Sequence, residues 1–447
     1  MASTGVLILS HCGFSFAEDL IAAIHARGLQ AYVLSSKPLP EHGDARLQAL
    51  RDKAEAVLSA DSHVLAENDV LHAIAALRES NAAVIACVSV WEGYRALMAL
   101  ANASLDVSDV PAKRIAALRD KHFVRNALQR AELSRSGARL LTPESLDVLK
   151  RDGRAYFVKP ARGIASYGAF RLTADTTWST LADIATRARD DTVYASALGD
   201  DIAFIAEDYV AGIEFSFEAL TVNGETFVVA IHEKCQLTEA NGTVLEDSCT
   251  SPPVSISAAG IAAGIDWLRA VLAHFSLDWG CFHVEARFDG DRWDLIEINP
   301  RIGGSLISPS VGALNEEANL LELWLDLLLA QTKERANPSF RDTLARLAYT
   351  ANGTPPTANA TFFRVYFAAP GHIDRIEIRP LSRPPALTHI LLKAGDVVEQ
   401  ASREVFLGQL LWHMTRDAQK AELPALLAES ANAIDVHYHS SSIALEA

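Results

Sequence analysis

The chain has 447 residues, enough for about three domains with their own cores, and its 49% hydrophobic and 21% charged content is that of an ordinary globular protein. A formal net charge of −16 argues against a general binder of nucleic acid or of anionic membrane, while leaving room for a local basic pocket. Cys12, Cys87, Cys235, Cys249 and Cys281 form no C-x-x-C pair and no zinc spacing, which fits a reduced, cytoplasmic compartment. The opening MASTGVLILS lacks a basic leader, and no run approaches the length of a membrane span, so the expectation is neither secretion nor membrane insertion.

In chain order, a buried-type strand over Val6–Ser10, an amphipathic helix over Ala17–Arg27 stopped by Gly28, and a strand over Ala31–Ser35 predict a βαβ opening. A second round follows, with a helix over Leu65–Glu79, a strand over Ala82–Val90 and a helix over Tyr94–Ala101. Gly13 is the only glycine near the first turn, so the G-x-G-x-x-G fingerprint of dinucleotide binding is absent. Trp91, Glu92, Gly93 and Arg95 lie just past a strand, where open parallel sheets tend to hold ligands. Arg114–Leu133 reads as one helix carrying Asp120-Lys121.

Tyr156–Lys159 is a strand, YFVK, followed from Pro160 by ARGIASYGAF. Small residues such as Gly163, Ser166 and Gly168 let backbone amides approach phosphate oxygens, and Lys159 on the adjoining strand supplies fixed positive charge. The lysine precedes the loop and G-x-x-x-x-G-K is missing, so this is not a P-loop. Phe204–Glu218, FIAEDYVAGIEFSFE, predicts strand, connector and strand. Leu220–Ile231 predicts a hairpin around Asn223-Gly224. The stretch HEKCQLTEANGTVLEDSCTSPP reads as an irregular polar loop of the kind that carries specificity, with His232, Glu233, Lys234, Glu246 and Ser251 as candidate substrate contacts.

Gly280–Gly304, GCFHVEARFDGDRWDLIEINPRIGG, is the richest stretch. Alternation puts Cys281, His283 and Glu285 on one face of a strand, and Leu295, Glu297, Asn299 and Arg301 on one face of the next; Phe282, Val284, Ile296 and Ile298 take the apolar face. A three-residue loop with a bulge, over Asp289-Gly290-Asp291, would set His283 opposite Glu297 and make Glu285 and Glu297 diagonal neighbours, roughly 7 Å apart. Two carboxylates and an amide oxygen are hard ligands suited to magnesium that also carries phosphates. Arg301 offers a planar fork to a phosphoryl group. Further helices are expected over Ala258–Phe275 and Asn315–Lys333, a boundary near Asn337-Pro338, and then a β-rich segment closed by a helix near Ala421–Ser430.

The ordered set formed by Asp120-Lys121, V-K-P with its glycine loop, E-x-Y-V-x-G-x-E and E-x-N-x-R resembles the ATP-grasp superfamily. The resemblance implies that Lys121 and Lys159 contact nucleotide phosphates and that Gly163, Ser166 and Gly168 cover them. Glu207, Asp208, Tyr209 and Val210 would meet the adenine edge and Glu214 the ribose. Glu285, Glu297 and Asn299 would hold two magnesium ions, for which manganese can substitute, and Arg301 would act on the transferred phosphoryl group. The family's A-G-x-P turn after the lysine helix is replaced here by AELSRSGARLL. The fold so implied is α/β and α+β: a Rossmann-like pre-ATP-grasp domain over residues 1–110, an ATP-grasp region over 111–335 and a small β-rich α+β domain over 336–447.

Among family members the N-terminal domain, the H-E-K segment and the β-rich C-terminal part look most like the L-amino-acid ligases. The implied activity is joining two L-amino acids through an aminoacyl phosphate, with release of ADP and phosphate. The alternatives are a ligase or carboxylase with another acceptor, and an ATP-binding protein without turnover. The expected partners are small-molecule substrates, with no nucleic acid and no membrane, and a homodimer is the expectation from base rates.

Overall fold

The computed structural model describes residues 3–439 except 13–15, 41–42, 165, 200, 241–242, 331–336 and 400–404, and leaves undescribed the side chains of 194–195 and 238–246. The apolar runs VLIL and AVIACV form neighbouring strands of a parallel sheet because both of their faces are covered. This sheet has strands β1 (Ser3–Ser10), β2 (Gln30–Ser35), β3 (Ala56–Ser59) and β4 (Ala82–Val88) in the order 3-2-1-4. Helices α1 (Ala17–Ala26), α2 (Gly43–Arg51), α3 (Glu67–Glu79) and α4 (Arg95–Ser104) connect and flank these strands, so the βαβ opening is present, with α2 and β3 as additions.

The run over Arg114–Leu133 is two helices, α5 (Ala112–Leu118) and α6 (Lys121–Arg130). Asp120 breaks it: its side chain accepts the N–H of Phe123 at 3.0 Å, and a capping aspartate competes with helix continuation. Lys121 is therefore the first residue of a helix.

A small antiparallel sheet follows, with β5 (Ala138–Leu140), β6 (Tyr156–Pro160), β7 (Phe170–Arg171) and β8 (Phe204–Asp208) in the order 5-8-6-7. Helices α7 (Pro143–Arg151), α8 (Trp178–Asp190) and α9 (Thr192–Leu198) accompany it. Beyond it an eight-stranded sheet is built from β9 (Ile213–Val222), β10 (Glu225–Ala240), β11 (Thr243–Ser251), β12 (Gly280–Phe288), β13 (Trp293–Asn299), β14 (Asn359–Ala368), β16 (Leu387–Ile390) and β18 (Val405–Thr415). Their order is 13-12-9-10-11-14-18-16. The stretch His232–Ser251, expected to be irregular, lies instead on β10 and β11, paired between β9 and β14. His232 and Glu233 pair with β9, Ser248–Ser251 pair with β14, and the two strands pair with each other between, which the polar side chains do not reveal. Asn223-Gly224 makes the expected two-residue turn, both residues having positive φ.

Helix α10 (Ala258–His274) packs on this sheet, with Ile265, Leu268 and Val271 joining Phe215, Phe217 and Val284 in one core. The helix expected over Asn315–Lys333 is α12 (Leu320–Leu329), preceded by α11 (Ile307–Asn315), because Asn319 caps α12 through the Glu322 N–H at 2.9 Å. Eight of the ten α12 residues are buried, as expected of a helix apolar on every side. It covers the N-terminal sheet, tied there by the Arg27–Asp326 ion pair. A short helix, α13 (Phe340–Leu347), a three-stranded sheet of β15 (Gly371–Ile378), β17 (Val397–Val398) and β19 (Ile434–Tyr438), and helix α14 (Arg416–Ser430) complete the chain. The eight-stranded sheet thus draws three strands from beyond residue 336. No helix of the described residues is long and apolar enough to cross a membrane.

Candidate functional site

The β12–β13 hairpin departs from its expected register. Residues Asp289 to Arg292 form the turn, and a bulge between Glu285 and Ala286 of β12 sets Ile296 as the extra residue of β13. Near the turn Ala286 faces Leu295; beyond the bulge Glu285 faces Glu297 and His283 faces Asn299. The two acids are therefore directly opposed rather than diagonal. The bulge also exchanges faces: Leu295 enters the core with Phe217 and Trp293, while Ile296 turns towards the cleft. Arg125 of α6 donates to the carbonyls of Leu295 and Ile296, so the irregular backbone is satisfied by one guanidinium.

Across from this hairpin stands the small sheet, and between them lies a cleft of about 780 Å³ including its open mouth. Lys121, Lys159, Gly163, Ser166, Glu207, Asp208, Tyr209, Val210, Glu214, Glu285 and Glu297 all line it, which brings together most of the residues expected at a nucleotide site. Gly168 is adjacent, in the left-handed region at φ 68°. Lys159 contacts Glu207 at 2.9 Å, and Arg125 grips the same carboxylate with two bonds of 2.9 and 3.0 Å. Burial lowers the Lys159 pKa. For Glu207 burial opposes the charge, but Arg125 and then Lys159 outweigh it and hold the carboxyl below its usual range. Lys121 reaches Glu297 at 3.0 Å and approaches the Gly163 carbonyl.

Phe157, Ile164, Tyr209, Val210 and Ile296 add apolar walls to the same cleft. Tyr209 is packed between cations, with Arg171 4.3 Å and Arg287 5.6 Å from its ring centre. The N–H groups of Asp208 and Tyr209 bond Gly137 and Ala155, and the Val210 carbonyl accepts from Arg287 at 2.7 Å. Gly212 closes this segment at φ 111°; a Cβ there would lie 2.3 Å from the Phe288 carbonyl oxygen.

A chain of alternating charge crosses β12, β9 and β10. Arg287 bonds Glu214 at 2.8 Å, Lys234 lies 3.2 Å from Glu214 and 3.1 Å from Glu285, and His283 joins Glu285 at 3.0 Å to Glu218 at 2.9 Å. Burial alone would lower the His283 pKa, but Glu218 and Glu285 on its two nitrogens raise it to about 10. Burial likewise opposes the Glu285 charge, and Lys234 with His283 holds it well below the carboxylate range. Of the expected substrate contacts, Lys234 belongs to this chain of charges, and His232 lies beside it, bonded to Ser310 at 2.9 Å. Glu233 instead accepts the N–H groups of Val254 and Ser255, and Ser251 donates to the Ile231 carbonyl, so neither side chain lines the cleft. The Glu246 side chain lies outside the described residues.

Glu285 and Glu297 face each other across adjacent strands, and the nearby Asn299 is buried with no side-chain hydrogen bond among the described residues. Two opposed carboxylates and an uncommitted amide oxygen are a fitting donor set for magnesium. No group of three or more His, Cys, Asp or Glu in metal-binding geometry occurs among the described residues, so two acids and an amide are the set on offer. Arg301 sits at the end of β13 with Nε 2.6 Å from Glu92 and Nη1 on the Ile302 carbonyl. Arg95 holds the same segment through the Pro300 carbonyl at 2.6 Å. Sequence reasoning missed Arg125, Arg287 and the turned-in Ile296. Arg125 is four residues beyond Lys121 on one helix face, and Arg287 continues the alternation of His283 and Glu285, so both carried a signal.

Residues 154–309 match the family model of the ATP-grasp domain. No curated protein matches the sequence. Among solved structures the chain is similar to an L-amino acid ligase from Bacillus licheniformis, with a TM-score of 0.70 at 16% identity, over 98% of this chain and 99% of that one. It is similar also to phosphoribosylglycinamide synthetase from Anaerococcus prevotii, with a TM-score of 0.62 at 12% identity over 98% and 100% of the two chains. A biotin carboxylase from Campylobacter jejuni gives 0.62 at 13% identity over 96% and 92%. The chain carries an ATP-grasp domain, and over its whole length it has the ATP-grasp fold.

Proposed function

We propose that the protein is an ATP-dependent, ADP-forming ligase that joins the carboxylate of one L-amino acid to the amine of another. The observation that carries this reading is the cleft itself: Lys121 on Glu297 and Lys159 on Glu207 share it with the opposed pair Glu285 and Glu297, between the sheets of an ATP-grasp domain, with an arginine beyond them. In the first step a carboxylate oxygen bonds to the γ-phosphorus as the bond from that phosphorus to the β,γ-bridging oxygen breaks, giving an acyl phosphate and ADP. In the second step the neutral amine attacks the acyl carbon, phosphate leaves with its bonding electrons, and the proton shed by the nitrogen passes to the departing phosphate. Lys121 and Lys159 orient the phosphates, Phe157, Tyr209 and Ile296 hold the base, and Arg301 meets the charge that develops on the transferred group. Magnesium held by Glu285, Glu297 and Asn299 would neutralise phosphate charge.

Support for amino acids in particular is the likeness to the L-amino acid ligase along both chains. Other fold neighbours are a phosphoribosylglycinamide synthetase and a biotin carboxylase, so a different acceptor is the second reading. Phosphate release from ATP and magnesium, measured with single L-amino acids, pairs and bicarbonate and followed by mass spectrometry, separates them. A dipeptide formed together with ADP is the expected result. Phosphate release without a dipeptide in any mixture would overturn the amino-acid reading and favour the second.

A further inference from the structure

Glu92 follows β4, at the carboxyl end of the strand that neighbours β1. The order 3-2-1-4 changes direction between these two strands, and such switch points are where open parallel sheets take ligands. Glu92 is buried there, yet it faces two cations brought by distant parts of the chain. Its Oε2 holds Arg301 Nε at 2.6 Å, and its Oε1 lies 3.7 Å from Arg119 Nε. Arg119 directly precedes the cap of α6, and its Nη2 donates to the Ala197 carbonyl of α9. The same turn meets α9 a second time, through Trp91 Nε1 donating to Ser196 Oγ at 2.7 Å.

The charges do not balance. One carboxylate serves two guanidiniums, and Lys121 close by is already paired with Glu297. Arg162 adds further positive potential: burial first, and then Arg162 and Arg301, act to lower the Arg119 pKa against Glu92 and, least, Glu297. Arg119 Nη1 and Arg301 Nη2 have no hydrogen-bond partner among the described residues. Largely buried cations in excess of their counter-charge are costly unless an anion completes the set. Arg119 Nη1 and Arg301 Nη2 are the two donor groups left to receive one, a prong from each guanidinium.

We propose that Arg119 is the second guanidinium of the acyl-donor site, binding with Arg301 the carboxylate that is to be activated, with Glu92 as the positioning residue that fixes both. The assignment rests on the ligase reading above and deepens it. It also gives α9 a part in the site, because the helix that accepts from Arg119 is held by the turn that carries Glu92.

The test is steady-state phosphate release at saturating ATP as the amino acid is varied, with ADP binding measured by calorimetry on the same proteins. Arg119→Ala should raise the KM for the activated amino acid by at least about tenfold, the scale of a charge-assisted hydrogen bond, and leave ADP affinity within about threefold. Added guanidinium ion should restore part of the loss, which a merely structural arginine would not permit. Arg119→Lys, with charge kept and the fork lost, should remain impaired; it also serves if the alanine variant fails to fold. Glu92→Gln should raise the same KM. An unchanged KM in the Arg119 variants would overturn the assignment, as would loss of ADP affinity with the amino-acid KM intact. The wild-type products judge the ligase reading separately: if another carboxylate, including bicarbonate, drives phosphate release, its KM is the quantity read.

Discussion

Replacing His11 by Asn should remove a pH-dependent part of the protein's stability. His11 is 1% exposed at the end of β1, stacked on Trp91 with ring centres 4.5 Å apart. Its Nε2 is 2.8 Å from the Val193 carbonyl, which can only accept, so Nε2 carries the proton. Nδ1 then accepts from the Tyr94 hydroxyl at 2.8 Å, while that hydroxyl accepts the Leu65 N–H. Protonating Nδ1 would put two donors face to face. Burial is the main cause that lowers the His11 pKa from 6.5 to about 4; His63 lowers it further, and the Val193 bond and Asp191 oppose. Because the folded value is depressed, the unfolded chain binds the extra proton first and stability falls as the pH drops below 6.5. Linkage gives a loss of about 2 kcal/mol between pH 8 and pH 5, approaching about 3 kcal/mol below pH 4. Urea unfolding at the two pH values should show this loss in the wild type in excess of that in His11→Asn. If both proteins lose stability in parallel, the neutral, tautomer-locked histidine is refuted.

Arg301→Ala should leave nucleotide affinity within about threefold and cut product formation by roughly 100-fold or more, the scale of removing one donor to a transition-state charge; near-normal turnover would remove the role given to Arg301. Arg125→Met should destabilise the protein by about 3–5 kcal/mol in urea unfolding, because Glu207 keeps only Lys159 and the carbonyls at the bulge lose their donor. A loss below about 1 kcal/mol would mean the bulge satisfies itself. Gly212→Ala should cost at least about 2 kcal/mol, since the new methyl would meet the Phe288 carbonyl at a backbone angle that side chains avoid. A thermal melt unchanged from the wild type would contradict that geometry.

Much of the site was legible because its residues sit on short periodic segments. Alternation put Glu285 on one face of its strand and Glu297 with Asn299 on one face of the next, the expected bulged loop brought those faces together, and V-K-P followed by small residues pointed to the phosphate end. The exact opposition of the acids was not legible, because the bulge at Ile296 depends on Arg125 capping carbonyls from a helix about 170 residues away. The segment from His232 to Ser251 misled for a related reason. Its polar side chains suggested a loop, but Lys234 is balanced by Glu214 and Glu285, and Glu233 by backbone N–H groups, none of them near it in the chain. Polar strands can be buried when their partners are supplied from elsewhere.

By itself the sequence determined the local chemistry: strands with an apolar or alternating pattern such as Val6–Ser10 and Gly280–Phe288, where chain-reversing glycines such as Gly224 fall, and which acids and amides of one strand share a face. Those follow from backbone stereochemistry and side-chain period, which act over a few residues. Only the tertiary structure decided what each charge meets. It put Lys121 at a helix start facing Glu297, closed Arg125 on Glu207, and gathered Arg119 and Arg301 on Glu92 from three separate segments. The physical reason is that a buried charge is tolerable only with its counter-charges in place, and the fold alone determines which distant residues arrive there.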